Sequence, residues 1–262
     1  MSLHEVMDTR MLGALRLTDA PSQAVIRRPL SVSSADATFI RNRSYHYVLT
    51  NATGLEHHTD VFAQPPPLPD VGDIEVTVDL SDPIQRYLPR LLALALPRDP
   101  EPANADQSAS LFSPVAVPMY PAATYPLHPN WSAIRVSLSV EGSPDSSLPG
   151  ALLRVVRISD NTVLARGISD RRGEALVIVP GIPITNFADS VDGDDVDASG
   201  PVLMAETTVA VEIIADETLP WPVNPDALED NRAAWLRQGD EPLTLALRTG
   251  QVETLNLVVG LA

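Results

Sequence analysis

The chain contains no cysteine and no lysine; all 18 of its Lys+Arg residues are arginines. Without thiols, disulfides, thiolate nucleophiles and Cys-based zinc or iron–sulfur centres are excluded, and folding must rest on core burial. Without side-chain amines, Schiff-base, P-loop and lysine general-base mechanisms are excluded as well. Glycine is outnumbered by proline, 13 to 25, and aromatic residues make up only 5%. Proline removes a backbone donor and fixes φ, so this balance favours short strands, sheet edges and extended segments over long helices. No apolar run approaches the ~20 residues needed to cross a bilayer; the longest, Leu91–Leu96, is strand-sized. Positive charge is scarce too: 34 acidic residues leave a net charge of -16. Such a surface repels phosphate backbones. The nearest basic groupings, Arg27-Arg28, Arg41/Arg43 and Arg171-Arg172, are short and scattered, so no nucleic-acid partner is expected.

What is present is a globular composition, 44% hydrophobic and 20% charged over 262 residues, enough for a sizeable core. Residues 1–24 carry Glu5, Asp8, Arg10 and Arg16 where a secretory leader needs an uninterrupted apolar stretch, so cytoplasmic synthesis is expected. That segment reads as a short helix or an ordered arm. From Ala24 to Val48 the pattern is β-like, and Ile74, Val76, Val78 and Leu80 alternate cleanly onto one face. A first β-rich domain is expected over residues 1–96.

Residues 97–130 hold eight prolines (97, 100, 102, 114, 118, 121, 126 and 129) and read as a connector or arm. Its second half carries Phe112, Val117, Met119, Tyr120 and Tyr125, too many large apolar groups for a free linker. These five are the candidate interaction residues, packing along a surface of the chain's own domain or of a partner.

From Trp131 to Pro183 three apolar-patterned runs are broken by turn residues, the pattern of a small antiparallel sandwich; 206–216 reads as a further strand. One helix is expected between Asn224 and Gly239, with Asn224 as cap and Pro225 in its first position. The last segment, with alternating runs about Thr249-Gly250, reads as a hairpin.

No constellation points to catalysis. In Glu56-His57-His58-Thr59-Asp60 the residue types suit a metal, but in a strand the two histidines face opposite ways. The run Asp192, Asp194, Asp195 and Asp197 is a weak calcium candidate whose register does not fit an EF-hand loop. A solvated acidic loop, or a patch complementary to a basic partner, explains it without a cation. Asp79 and Asp82 resemble a glycosidase pair in type only, since their turn context accounts for them. Neither a Gly-x-Ser-x-Gly turn nor a phosphate-binding glycine fingerprint occurs. No catalytic, cofactor or metal residue is assigned.

The segment from Trp131 onward resembles the carboxypeptidase regulatory-like family. The residues that carry the resemblance are Ile134, Val136, Leu138 and Val140, then Pro149-Gly150-Ala151 with Leu153 and Val155. Thr162, Leu164, Arg166-Gly167, Ser169-Asp170, Gly173 and Ala175–Val179 complete the pattern. The resemblance implies a transthyretin-type sandwich at about 131–216, within a domain 131–262 that also holds the acidic loop, the helix and the hairpin. The fold class is thus mainly β: a transthyretin/immunoglobulin-like antiparallel sandwich, an N-terminal β-rich domain, a Pro-rich connector and one short helix. Members of that family are typically accessory modules of surface proteins, secreted enzymes and phage-like particles. The segment SDPIQRYLPRLLALALPRD (81–99) is also similar to accessory proteins of phage tails and contractile injection systems.

The function expected is that of a non-enzymatic baseplate, collar or tail component, built into such a particle through contacts with other subunits or with itself. The alternative is a carbohydrate- or cell-surface-binding module with Trp131, Trp221 or Trp235 as a stacking platform.

Overall fold

The computed structural model describes residues 10–60, 66–183, 206–237 and 243–260. It is a mostly β structure with several mixed and antiparallel sheets and, among the described residues, three short helices. The chain divides into two compact units, Met1–Met119 with Pro222–Asp226, and Tyr120–Trp221 with Ala227–Ala262. Residues 97–119, read from the sequence as part of a connector, fall in the first unit, and residues 120–130 fall in the second.

The first unit contains β1 (Gly13–Asp19), β2 (Ser31–Ser33), β3 (Ala37–Arg41), β4 (Tyr47–Ala52), α1 (Glu56–Asp60), β5 (Ile74–Ser81), β6 (Arg90–Leu96) and β7 (Val115–Met119). One sheet has the order β3-β4-β1-β7, with β1 and β7 parallel; the other is β2-β5-β6. The segment expected as a helix or arm is thus in part the strand β1, whose Leu15 and Leu17 are buried. Alternation puts Val76, Val78 and Leu80 of β5 and Leu92, Leu94 and Leu96 of β6 on buried faces. The β3–β4 turn is closed by Asn42, whose side-chain oxygen accepts the N–H groups of Ser44 and His46, both at 2.9 Å. Tyr45 therefore sits in the turn at φ 68 rather than on a strand. Two tyrosines tie the elements together. Tyr47 Oη accepts from Leu30 N at 2.6 Å and donates to Leu30 O at 2.9 Å, and Tyr87 Oη donates to Asp19 at 2.9 Å.

One charged side chain lies at the centre of this unit. Arg90, at the start of β6, is 0% exposed. Its guanidinium donates to Pro118 O at 3.0 Å, to Leu91 O at 3.2 Å and to the Asp226 carboxylate. Next to it, Leu91 N donates to Val223 O at 2.8 Å. Residues 222–226 thereby line the outer edge of β6.

The second unit contains β8 (Ser132–Val140), β9 (Ser143–Ser147), β10 (Leu152–Arg157), β11 (Thr162–Ile168), β12 (Glu174–Val179), β13 (Thr207–Ile214), α2 (Pro225–Asp230), α3 (Arg232–Trp235), β14 (Leu243–Leu247) and β15 (Val252–Val259); the first two residues of α2 are counted with the first unit. Its sheets are β11-β10-β13-β14 and β12-β8-β15, with β9 on β8. Ile134 and Val136 from β8, Val177 and Val179 from β12, Leu153 and Val155 from β10, and Val209 and Val211 from β13 share one core between the two sheets.

The last two strands depart from the expected hairpin. β14 pairs antiparallel with β13, whereas β15 crosses to the other sheet and pairs parallel with β8. Their connection is an arch. Gly250 (φ +73) lies so close to the preceding segment that a Cβ would meet Pro129 O at 2.8 Å, and Ser132 Oγ donates to Arg248 O at 2.6 Å. The expected single helix is likewise divided. Asn224 caps it through its side-chain oxygen, 3.1 Å from Asp226 N, but Asn231 (φ -99, ψ 21) breaks it into α2 and α3. The chain then returns along β13, with Ala215 N to Trp235 O at 2.9 Å and Arg237 N to Ile213 O at 2.7 Å; Gly239 lies outside the described residues.

An arginine–carboxylate network joins these helices to the β10/β11/β13 face. Arg154 donates to Glu212 at 2.7 Å, Arg166 donates to Glu229 at 2.5 and 2.8 Å, and Arg232 donates to Glu212 at 2.9 Å. Burial alone would raise the Glu229 carboxyl pKa; Arg166, then Arg154 and Arg232, outweigh it and hold it below the ordinary carboxylate value.

The tight β11–β12 turn gives a direct test of this packing. Gly173 has φ +75, and a Cβ there would stand 2.4 Å from Leu138 O, backbone that has no room to yield. Gly173→Ala is expected to cost roughly 2–4 kcal/mol, the sum of left-handed strain and overpacking, read as a lower chemical-denaturation midpoint.

Candidate functional site

A cleft that combines apolar walls with two arginines lies wholly in the first unit. It has a volume of about 140 Å³, and its lining comes from the segments at 10–12, 66–71 and 97–100 together with His58 and Leu111. Its walls include Pro66, Pro67, Pro69, Pro97 and Pro100, with Leu12 and Leu111 buried behind them. Each proline offers a ring surface and no N–H, so these five positions give a ligand apolar contact and no backbone donor.

The local sequence explains how those side chains are held. Leu55 O accepts His58 N at 3.0 Å and opens the short helix α1, which buries His58 while Arg10 N approaches Thr59 O at 3.4 Å. The residues expected as an extended pair, His57 and His58, are therefore helical; His58 is buried and His57 is exposed. Beyond β6, Arg98 Nη2 donates to the carbonyls of Ser108 and Ser110, the latter at 3.0 Å. Asp99 organises the returning loop: its N–H donates to Ala109 O at 2.9 Å, its carbonyl accepts Leu111 N at 2.7 Å, and its carboxylate accepts Glu101 N and Asn104 Nδ2. Gly72 N donates to Pro97 O at 3.1 Å and pins the opposite wall.

Electrostatically the cleft is a cationic spot on an acidic chain. Arg10 and Arg98 line it, and Arg10 Nη1 is buried without a hydrogen-bond partner among the described residues. Burial lowers the Arg98 pKa below its ordinary value. Burial also lowers the His58 pKa, helped by the charges of Arg10 and His57. Asp70 is an exposed lining residue. Four large apolar side chains line the cleft or adjoin its lining residues in sequence: Met11 (42% exposed), Leu68 (70%), Val71 (47%) and Phe112 (53%).

The candidate interaction residues are divided by this arrangement. Val117 and Met119 are core residues of β7, and Tyr120 and Tyr125 are buried in the second unit. Of the five, Phe112 alone presents an exposed side chain, directly after the cleft residue Leu111. The apolar density read in that stretch is thus largely core. Asp192, Asp194, Asp195 and Asp197 lie outside the described residues. Among the described residues no group of three or more His, Asp or Glu is placed to hold a metal.

Asp82 is a structural hub. Both of its oxygens take the Arg28 guanidinium, and they accept Ile84 N at 3.2 Å, Arg86 N at 2.7 Å and Tyr87 N at 3.0 Å. Its burial would raise the pKa, but Arg28 and these N–H groups hold it below the ordinary value; Asp79 is exposed on β5.

The three tryptophans are half-buried: Trp131 is tilted against His128 at 5.6 Å, Trp235 lies under Arg237 at 5.7 Å, and Trp221 ends a loop. A second depression, on the second unit, is lined by Ser137, Ser139, Ser147, Arg172 and Asn256 together with Leu138, Leu257 and Val258, and no aromatic ring lines it. The cleft itself was not recognised from sequence, because its walls come from five separated places in the chain. The only local signal was the proline density of 65–69 and 97–102.

Comparison with known proteins adds little. No family model matches the chain, and no curated protein matches it. A similar solved structure is that of the Bacillus anthracis TIE protein, 8% identical, covering 95% of this chain with a TM-score of 0.27. The chain spans 34% of that protein's length, and a likeness at this score carries no argument. No helix among the described residues is long and apolar enough to cross a membrane.

His58 gives this site a pH signature. Its pKa is lowered in the fold from 6.5, so the unfolded chain binds the proton more readily. The stability it contributes is complete above that value and is lost as pH falls below it. Between pH 7 and about 5 the wild type is expected to lose stability that His58→Gln retains, measured as the difference between their unfolding free energies across the range. Parallel profiles would contradict this.

Proposed function

We propose that the protein is a non-enzymatic structural component that works through protein–protein contacts, with the cleft rim of the first unit as a contact surface. The observation that carries this reading is a proline-walled cleft lined by the exposed Met11 and Val71, with the exposed Leu68 and Phe112 next in sequence to lining residues. Scattered exposed apolar residues are ordinary, but several grouped about a concave site are a recurring mark of association. The particle setting, a baseplate, collar or accessory subunit of a phage-tail-like or contractile injection particle, rests on the likeness of residues 81–99 to such proteins. The carboxypeptidase regulatory-like reading of the second unit belongs to the same proposal. It is supported by strands at Ser132–Val140, Leu152–Arg157, Thr162–Ile168, Glu174–Val179 and Thr207–Ile214 around one core.

A carbohydrate-binding role has the hydroxyl- and amide-lined depression of the second unit in its favour. No ring lines it, so the stacking that sugar sites rely on is missing there.

The mass in solution tests the contact reading. Light scattering on the purified chain is expected to show association well above 28.2 kDa, and the pair Val71→Ser and Phe112→Ser is expected to weaken it about tenfold or more. A monodisperse monomer that binds glycans, unaffected by these changes, would contradict the proposal.

A further inference from the structure

We infer that the cleft receives the carboxyl terminus of a partner chain, its free α-carboxylate meeting Arg10 and Arg98 and its apolar last side chain lying among the prolines. This rests on the contact reading above and gives that surface a specific ligand chemistry.

Charge is the first argument. On a chain of net charge -16, two arginines converge on one small cavity. Arg10 Nη1 is buried with no acceptor among the described residues. A buried cationic donor without a partner is costly, and a carboxylate is the group that matches a guanidinium in charge and shape. The five prolines of the walls supply no N–H groups, and the two arginines bring the positive charge that distinguishes a charged chain end from a neutral one. His58 is held toward its neutral form by burial and by Arg10, so it adds a hydrogen-bonding ring without a competing full charge.

Size is the second argument. A cavity of about 150 Å³ holds a benzene-sized group, so this one, at about 140 Å³, takes one large apolar side chain and not a folded surface. The third argument is the rim. Met11 and Val71 line the cleft and are exposed, and the exposed Leu68 and Phe112 adjoin lining residues in sequence; a free small acid would leave such apolar surface unused, whereas a chain continuing outward from its last residue would cover it. Asp70, an exposed lining residue, offers a carboxylate acceptor for a backbone N–H of such a chain.

The test compares short Gly/Ser peptides ending in Phe, as the free acid and as the carboxamide, by calorimetric titration into the full chain. The free acid is expected to bind at least about tenfold more tightly than the amide. Arg10→Gln is expected to bring the acid down to the level of the amide at an unchanged thermal midpoint. Arg98→Gln serves as the second variant, read only if its midpoint is also unchanged. Equal binding of acid and amide, or no binding of either, would overturn the inference. So would 3-phenylpropionate binding as tightly as the peptide, which would make the cleft a site for free small acids. Failure here leaves the contact reading standing if the Val71 and Phe112 substitutions still disperse the assembly, since neither residue carries charge.

Discussion

The first unit is organised around one buried cation. A fully enclosed guanidinium demands a counter-charge and acceptors, and here the counter-charge, Asp226, is itself half-exposed. Arg90 meets that demand with three segments at once: its own strand through Leu91 O, the proline-rich strand β7 through Pro118 O, and residue Asp226, 136 positions away. Two otherwise puzzling features follow from it. A proline sits inside β7 because that strand is at the sheet edge and its carbonyl, not its missing N–H, is the group in use. Residues 222–226 belong to the first unit because they bring the carboxylate and also cover the edge of β6 through Val223 O. Closing so long a loop is expected to come late in folding, since its entropy must be spent before the contact forms.

The absence of lysine has a structural counterpart. Every ion pair among the described residues is an arginine–carboxylate pair, several of them bidentate. A planar fork holds two elements in fixed register in a way a flexible ammonium does not. In the second unit this is how the α2–α3 segment is held to the outer face of the sheet, with Glu229 and Glu212 each shared by two arginines. In the first, Arg28 completes the Asp82 turn hub. Arg10 and Arg98 form no ion pair with a carboxylate among the described residues, and both line the cleft.

Much of the fold was legible where period and partner agree. Ile74 to Leu80 alternate because one face is core and the other is not, and the runs of the sandwich announce themselves in the same way. Asn224-Pro225 marks a helix start because side-chain capping and a fixed φ are local properties. What stayed hidden was non-local. Thr249-Gly250 signals a turn whether the chain folds back in one sheet or arches to another, and only the seat of β15 on β8 decides it. β1 was obscured by Arg16 and Asp19 within a short strand, though Leu15 and Leu17 carry its period. The apolar residues of 111–125 read as packing on the chain's own domain or on a partner, and no local pattern shows that Val117 and Met119 are core residues of a strand paired with β1. The cleft joins segments nearly a hundred positions apart, and nothing local in any of them names the others.

These relations make the account depend on β7 and residues 222–226 being parts of the folded first unit and not a connector laid against it. Amide hydrogen exchange on the intact protein tests that most directly. The account predicts that Val117, Met119 and Leu91 exchange as slowly as Leu15 and Leu17 of β1, all opening with the unit as a whole. Rapid exchange through Val115–Met119 and at Leu91, with β1 still protected, would contradict it.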